Sequence, residues 1–266
     1  MHEIFLTFDV EEFDLPLDYG STMTLSEQIE VSRQGLLLIQ DILDHLSIRA
    51  TFFITGTFAL HNKTLINNLS IKHEIASHAM FHCSFDPKKD LAESKKILEE
   101  ITGQRVTGFR RPFLKPVKDT DLVEAGYRYN SSLNPTHIPG RYNNWNKPII
   151  PFFNDHILNI PVSVSPILRI PLFWLSFKNF PMPYYRFLST FTLRKNGFLN
   201  LYFHPWEFTD LSSINLPHYM KRHSGVLLLE RLEKYLIWLK GKGRFITLEE
   251  YTESICNQQG SLNKNN

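Results

Sequence analysis

The chain of 266 residues reads as an α/β protein built on a mainly parallel sheet, open or closed as a barrel. Three observations predict this. Short β-like runs alternate with longer helical patterns along the whole chain. The first run, Ile4–Phe8, ends in a cluster of acids, Asp9, Glu11 and Glu12. Two later runs end on histidines: His73–Ser77 leads into His78, and Leu199–Phe203 leads into His204. Acid/base and metal-ligand side chains gathered at strand ends are how such a scaffold assembles a site. The length suits one large domain with a full core.

The elements follow in order. Ile4–Phe8 is the first strand. Leu25–Leu46 is a helix, with Leu36, Ile39, Leu43 and Leu46 at helical spacing. Ala50–Thr55 is rich in β formers and reads as a buried strand, and His73–Ser77 as a short one. Asp86 caps a helix that Pro87 opens and Gly103 ends. Val106–Phe109 is a strand, followed by Arg110-Arg111-Pro112. Asp119–Ala125 is a short helix closed by Gly126, and Tyr127–Leu133 a strand. Ile157–Val164 and Leu199–Phe203 are further strands. Val226–Leu239 is an amphipathic helix and Arg244–Leu248 a closing strand. The expected domain runs over 1–256, with a polar, disordered tail at 257–266. No internal repeat is seen. One segment, 166–196, breaks the alternation: with Pro166, Pro171, Pro181 and Pro183 among many aromatics, it is too apolar for a linker and too Pro-broken for one helix. It reads either as an excursion packed on the domain or as a lid or patch that meets the substrate.

Composition excludes several classes. A net charge of +2 gives no argument for a nucleic-acid partner. Cys83 and Cys256 fit no zinc-finger spacing and read as reduced thiols. No run of eighteen apolar residues predicts a membrane span. The chain enters a strand almost at once, with no signal-peptide pattern. The expectation is a cytoplasmic protein, with peripheral contact at the inner membrane face left open. No Gly-x-Ser-x-Gly elbow occurs, which argues against a serine hydrolase.

The chemistry-bearing residues fall into three groups. His78-Ala79-Met80-Phe81-His82 holds a His-x-x-x-His pair, whose imidazoles converge on one ion if the segment makes a helical turn. Alternatively the two simply hydrogen-bond in a loop. Asp9 and Glu11 share one face of the first strand, and such carboxylates repel unless a cation or an arginine lies between them. Glu12 and Asp14 read as solvated loop acids. His204, ahead of Pro205, is placed for proton transfer, or else is a buried histidine satisfied by a carbonyl. Arg110 is placed to pair with Asp9 and keep it ionised. Arg111 points the other way.

Four stretches, taken together and in order, resemble the polysaccharide deacetylase family, the NodB-homology or carbohydrate esterase family 4 group. They are Thr7-Phe8-Asp9-Val10-Glu11, Glu74-Ile75-Ala76-Ser77-His78-Ala79-Met80-Phe81-His82, Gly108-Phe109-Arg110-Arg111-Pro112 and Leu201-Tyr202-Phe203-His204-Pro205-Trp206-Glu207. The second and fourth are most similar to the exopolysaccharide-associated branch. The resemblance spans about residues 4–250. It implies a distorted (β/α)7 barrel, one divalent metal (zinc first, cobalt or manganese as alternatives), and hydrolysis of an acetyl group from a glycan or glycan precursor. It implies Asp9 as general base, His78 and His82 as metal ligands, Arg110 as the residue that orients the base, and His204 as general acid. The adjacent acid of the family motif is Val10 here, so Glu11 is the expected third ligand. The amide of Phe113 is expected at the oxyanion, and Leu201 and Trp206 as walls around the acetyl methyl.

Two departures stand out: Glu11 replaces the usual aspartate, and Asn130 stands where the family often has an acid, which bears on the groups behind the ligands. The expected partner is an acetylated carbohydrate, with a lipid-linked form as an option. Two rival readings remain: a relative that hydrolyses a cyclic amide or imide, and a non-catalytic carbohydrate-binding barrel.

Overall fold

The structure of the chain, a computed structural model, describes residues 2–264. Its first half is a run of β-then-α units. Strand β1 (Glu3–Val10) leads to α1 (Leu25–Leu46), β2 (Thr51–Ile54), α2 (Gly56–His61), α3 (Lys63–Ser70), β3 (Glu74–Ser77), α4 (Pro87–Thr102), β4 (Gly108–Phe109), α5 (Asp119–Glu124) and β5 (Tyr129–Asn130). A hairpin arm follows, β6 (His137–Ile138) with β7 (Tyr142–Asn143), and then β8 (Phe152–Asn154) and β9 (Ile157–Asn159). The remainder is α6 (Trp174–Asn179), α7 (Met182–Asn196), β10 (Phe198–Phe203), α8 (His218–Lys221), α9 (Val226–Lys240), β11 (Arg244–Phe245) and α10 (Leu248–Lys264).

The strands β10, β1, β2, β3, β4, β5 and β9 lie side by side in that order, each parallel to its neighbour. β8 adds an antiparallel edge, and β11 pairs with the start of β1 ahead of β2. The sheet curls into a half-barrel. Just past β9, the Ser163 N–H donates to the Asn200 carbonyl on β10 at 2.9 Å, so the two ends of the curl approach each other. The expected NodB-type barrel fold is the fold observed.

Alternation along the strands divides the apolar residues into two layers. Phe5, Phe53, Ala76, Tyr129, Leu158, Ile160 and Phe198 fill the inside of the curl. Ile4, Leu6, Phe8, Phe52 and Ile54 face outward, where Leu36, Ile39 and Leu43 of α1 cover them. α1 is capped as the sequence asks: Thr24 and Glu27 form a capping box.

β1 and β10 run slightly beyond the predicted Ile4–Phe8 and Leu199–Phe203, whereas the predicted strands Val106–Phe109, Tyr127–Leu133 and Ile157–Val164 are reduced to the two or three residues of β4, β5 and β9 that form ladders. The 166–196 segment resolves into two helices, with Trp174, Phe177, Tyr185 and Leu188 buried against the barrel. α10 continues to Lys264, so the polar run expected to be disordered from 257 is helical that far; 265–266 lie outside the described residues. Both cysteines are free thiols. No helix among the described residues is long and apolar enough to cross a membrane.

Candidate active site

Every predicted polar site residue except His82, which lies in the loop after His78, sits at or just beyond the C-terminal end of a parallel strand. Asp9 is on β1, Glu11 follows it, His78 follows β3, Arg110 follows β4 and His204 follows β10. Parity aims Asp9 inward: Thr7 and Asp9 share the inner face, and both accept from Arg110 Nη1, at 2.9 and 2.6 Å. Nε–H and Nη2–H donate to the Ser131 carbonyl and hydroxyl at 3.1 and 2.9 Å. The ring of Phe53 lies 4.1 Å beneath. Arg110 is wholly buried, and its charge is tolerable there because Asp9 compensates it and Ser131, just past β5, accepts from two further N–H groups. Arg111 turns away, stacking on Phe85 and bonding the Pro116 carbonyl.

Glu11, His78 and His82 form one donor cluster, with a ligand atom of each within 4.8 Å of the others. Glu11 Oε2 lies 3.2 Å from His78 Nε2 and 3.1 Å from His82 Nε2. The far nitrogen of each imidazole is occupied. His78 Nδ1 donates to the Arg110 carbonyl at 2.8 Å, and His82 Nδ1 meets Asp14 Oδ1 at 2.7 Å. Both Nε2 atoms are thereby turned to the shared centre, as metal-binding histidines require. The His-x-x-x-His stretch converges without the helical turn expected of it. It is an irregular loop with Ala79 at φ 66°, held by the start of α2, whose Gly56 and Thr57 N–H groups donate to the Ala79 and Met80 carbonyls. A Cβ on Gly56 would lie 2.4 Å from Met80 Sδ, so the Met80 side chain packs directly on the backbone there.

Glu12 and Asp14 correct the sequence reading. Glu12 is buried and accepts from Thr55 Oγ1 at 2.9 Å, and Asp14 orients His82. Burial pushes the Glu11 carboxyl up, but His82, His204 and His78 outweigh it and bring it to about 2. Burial likewise opposes a proton on His82, and Glu11 and Asp14 overcome that to raise it to about 9. An ionised carboxylate whose charge is balanced only by protons on imidazoles is a site that a cation can take over by displacing them. The donor set therefore fits one divalent ion.

His204 approaches the same carboxylate from β10, with Nε2 3.9 Å from Glu11 Oε1. Glu207, which the sequence reading left unassigned, accepts from the His204 backbone N–H at 2.9 Å and meets its Nδ1 at 3.1 Å. Behind Glu207 lies Lys178 at 3.3 Å, both fully buried. Burial disfavours charge on His204, but Glu11 and Glu207 prevail and raise its pKa. Trp206 stacks on His204 with centroids 4.9 Å apart and donates Nε1–H to Glu11 Oε1 at 3.3 Å. α1 presses on this turn so closely that a Cβ on Gly35 would meet the Pro205 oxygen at 1.8 Å.

Asp9, Glu11, His78, His82, Phe113, His204 and Trp206 all line one cavity of about 50 Å³, together with Trp174 and Tyr202. Leu201 does not. On β10, Asn200 and Tyr202 face the barrel interior, so Leu201 points to the helices and is wholly buried there. Tyr202 takes the wall position expected of Leu201. Phe113 has φ 59° and packs its ring 4.3 Å from that of His82. Its amide lies within the short turn Pro112–Leu114, whose bonds are made by the Leu114 and Lys115 N–H groups instead. Asn130 serves the sheet, bonding Asn159 and Ser132; the residue behind Arg110 is Ser131. The cavity opens into a groove of about 870 Å³, and Phe113, Leu114, Arg141 and Tyr142 line both.

The polysaccharide deacetylase family model matches residues 3–130. A peptidoglycan deacetylase-like protein of Gibberella zeae is 33% identical over 123 residues, which cover 41% of this chain and 36% of that protein; the chain thus matches about a third of that relative's length. A Mycobacterium smegmatis protein assigned as a polysaccharide deacetylase superposes with a TM-score of 0.67 at 19% identity, over 97% of this chain and 91% of its own. The allantoinase PuuE superposes at 0.66 with 15% identity, over 94% and 89%. Residues 3–130 are therefore similar in sequence to the polysaccharide deacetylase family, and the chain has a fold that NodB-type deacetylases share.

Proposed function

We propose that this chain is a metal-dependent hydrolase that removes acetyl groups, N-acetyl first, from an amino sugar of a glycan or glycan precursor in surface polysaccharide metabolism. One observation carries the reading: Glu11, His78 and His82 turn their donor atoms to a common centre, with Arg110-held Asp9 and Glu207-held His204 lining the same cavity.

Glu11, His78 and His82 would hold the ion, zinc first. When bound, such an ion polarises an acyl carbonyl and favours ionisation of water. Asp9, kept in place by Arg110, accepts the proton of the attacking water at its free oxygen. The Phe113 N–H donates to the oxygen on which charge develops. His204 carries a proton at Nε2 and delivers it to the leaving amine, while Glu207 fixes Nδ1. Trp174, Tyr202 and Trp206 exclude water and bound the acetyl end. A cavity of about 50 Å³ takes an acetyl group, and the sugar has to occupy the groove outside. The stretches Glu74–His78 and Tyr202–Glu207 support placement in the exopolysaccharide-associated branch.

The test is acetate release from acetylated amino-sugar oligomers after chelation and add-back of zinc, cobalt or manganese. Release that depends on the ion, and its loss in Asp9→Asn and His204→Ala with folding intact, is the expected result. Absence of release from any acetylated glycan at every metal loading overturns the reading. Parallel assays on cyclic amides and imides separate it from hydrolysis of a non-sugar C–N bond.

A further inference from the structure

Two cations border the groove outside the cavity, and neither is paired with an acid among the described residues: Arg141 and Lys115. Arg141 stands at the tip of the β6–β7 hairpin, after Gly140 at φ 74°. Its backbone N–H donates to the Ile138 carbonyl at 2.9 Å. The neighbouring Tyr142 is buried and donates its hydroxyl hydrogen to the Phe113 carbonyl at 3.2 Å. The arm is thereby fastened to the loop that packs Phe113 on His82. The side chain of Arg141 lies with the phenols of Tyr142, Tyr202 and Tyr219 and with no carboxylate among the described residues. Lys115 reaches the groove with its ammonium 4.9 Å over the Phe113 ring. The acids of the groove do not answer these charges: Glu12 bonds Thr55, Asp14 holds His82, and Asp18 is exposed at the rim.

A guanidinium on the border between the acyl cavity and the groove, held by a hairpin and left without a carboxylate, is arranged for an external anion, because its fork matches carboxylate or phosphate. We propose that Arg141, assisted by Lys115, forms an anion subsite, so that the glycan taken by this site carries a carboxylate or phosphate group next to the sugar that is deacetylated. This rests on the deacetylase reading for the identity of the sugar, and the subsite is measurable without it. Arg141 lines both cavity and groove, which puts the anion within about one sugar of the acetyl group.

The experiment is calorimetry on the metal-loaded protein with three probes that lack acetyl groups: a glucosamine disaccharide, a glucuronate–glucosamine disaccharide, and glucosamine 1-phosphate. The expected result is that one charged probe binds about tenfold or more tightly than the uncharged-acid control, as one charge-assisted contact supplies. Arg141→Gln erases that preference, Arg141→Lys keeps part of it, and Lys115→Gln weakens it less. The arm that wins tells carboxylate from phosphate. No preference in the wild-type protein, or a preference that survives Arg141→Gln, overturns the subsite. A protein that shows the preference but releases no acetate keeps the subsite and loses the deacetylase reading; acetate release without the preference does the reverse.

Discussion

His78 donates its Nδ1–H to the carbonyl oxygen of Arg110 at 2.8 Å, and the guanidinium of the same arginine donates to Asp9 at 2.6 Å. One residue beyond β4 thus fixes a candidate metal ligand through its backbone and the candidate base through its side chain. The two functions separate on substitution. Arg110→Ala leaves the backbone bond to His78 in place but strands Asp9 as a buried, unpaired carboxylate, at a cost of about 3–5 kcal/mol. The expected outcome is lost turnover and a large fall in denaturation midpoint, with ion binding by the folded fraction near wild type. Loss of ion binding in that fraction would show that the side chain, not the carbonyl, holds His78.

Asp14 meets His82 Nδ1 at 2.7 Å and is only partly buried. Asp14→Ala removes the group that turns Nε2 to the centre, without taking away a ligand. Outer partners of this kind are worth about 10- to 100-fold in metal affinity. A competition titration against a chromogenic chelator reads this directly, and an unchanged affinity would assign Asp14 to the surface.

Glu207 raises the proton affinity of His204. A general acid works while protonated, so its activity falls as pH rises through its pKa. In Glu207→Gln the alkaline limb of the pH–kcat profile therefore moves to lower pH, and kcat drops. The same change leaves Lys178 buried without its partner, which destabilises by roughly 3 kcal/mol or more. The double variant Lys178→Met/Glu207→Gln recovers stability but not the limb. A limb that stays in place in both variants removes Glu207 from the chemistry.

At the opposite end of the barrel, Glu74 is buried beneath Tyr129, whose hydroxyl donates to it at 2.5 Å. Burial raises Glu74 to about 7 from an ordinary 4.5. The folded protein thus holds a proton that the unfolded chain releases. The stability from this group is fully present below pH 4.5 and is lost as pH rises to 7. Glu74→Gln removes the titration, so its stability relative to wild type improves across that window, by up to roughly 3 kcal/mol from the size of the shift. Urea midpoints at pH 4.5, 6 and 7.5 check the sign; a constant difference contradicts it.

Much of the site was legible because each strand end announces its own residue. Asp9 and Glu11 share a parity, and Arg110 and His204 follow apolar runs. The missed residues act through partners that sequence does not juxtapose. Asp14 finds His82 across 68 positions, and Arg141 reaches the cavity only through a short hairpin with little apolar patterning. Glu207 did leave a trace, since an acid three residues after His204, with Pro205 between, is the pattern of a helix start whose side chain turns back. Leu201 was misplaced for a simple reason: the interior face of β10 belongs to Asn200 and Tyr202, and a run with apolar residues on both faces hides its parity. The helices of 166–196 were obscured by prolines that open them or precede them rather than break them.

The most direct measurement titrates chelated protein with zinc while following bound ion per chain and acetate release from an N-acetylated amino-sugar oligomer together. The account predicts that both rise in step and saturate at one ion per chain, and that His78→Ala with His82→Ala abolishes both. Full acetate release from the metal-free protein, or release that survives loss of those two histidines, would contradict it.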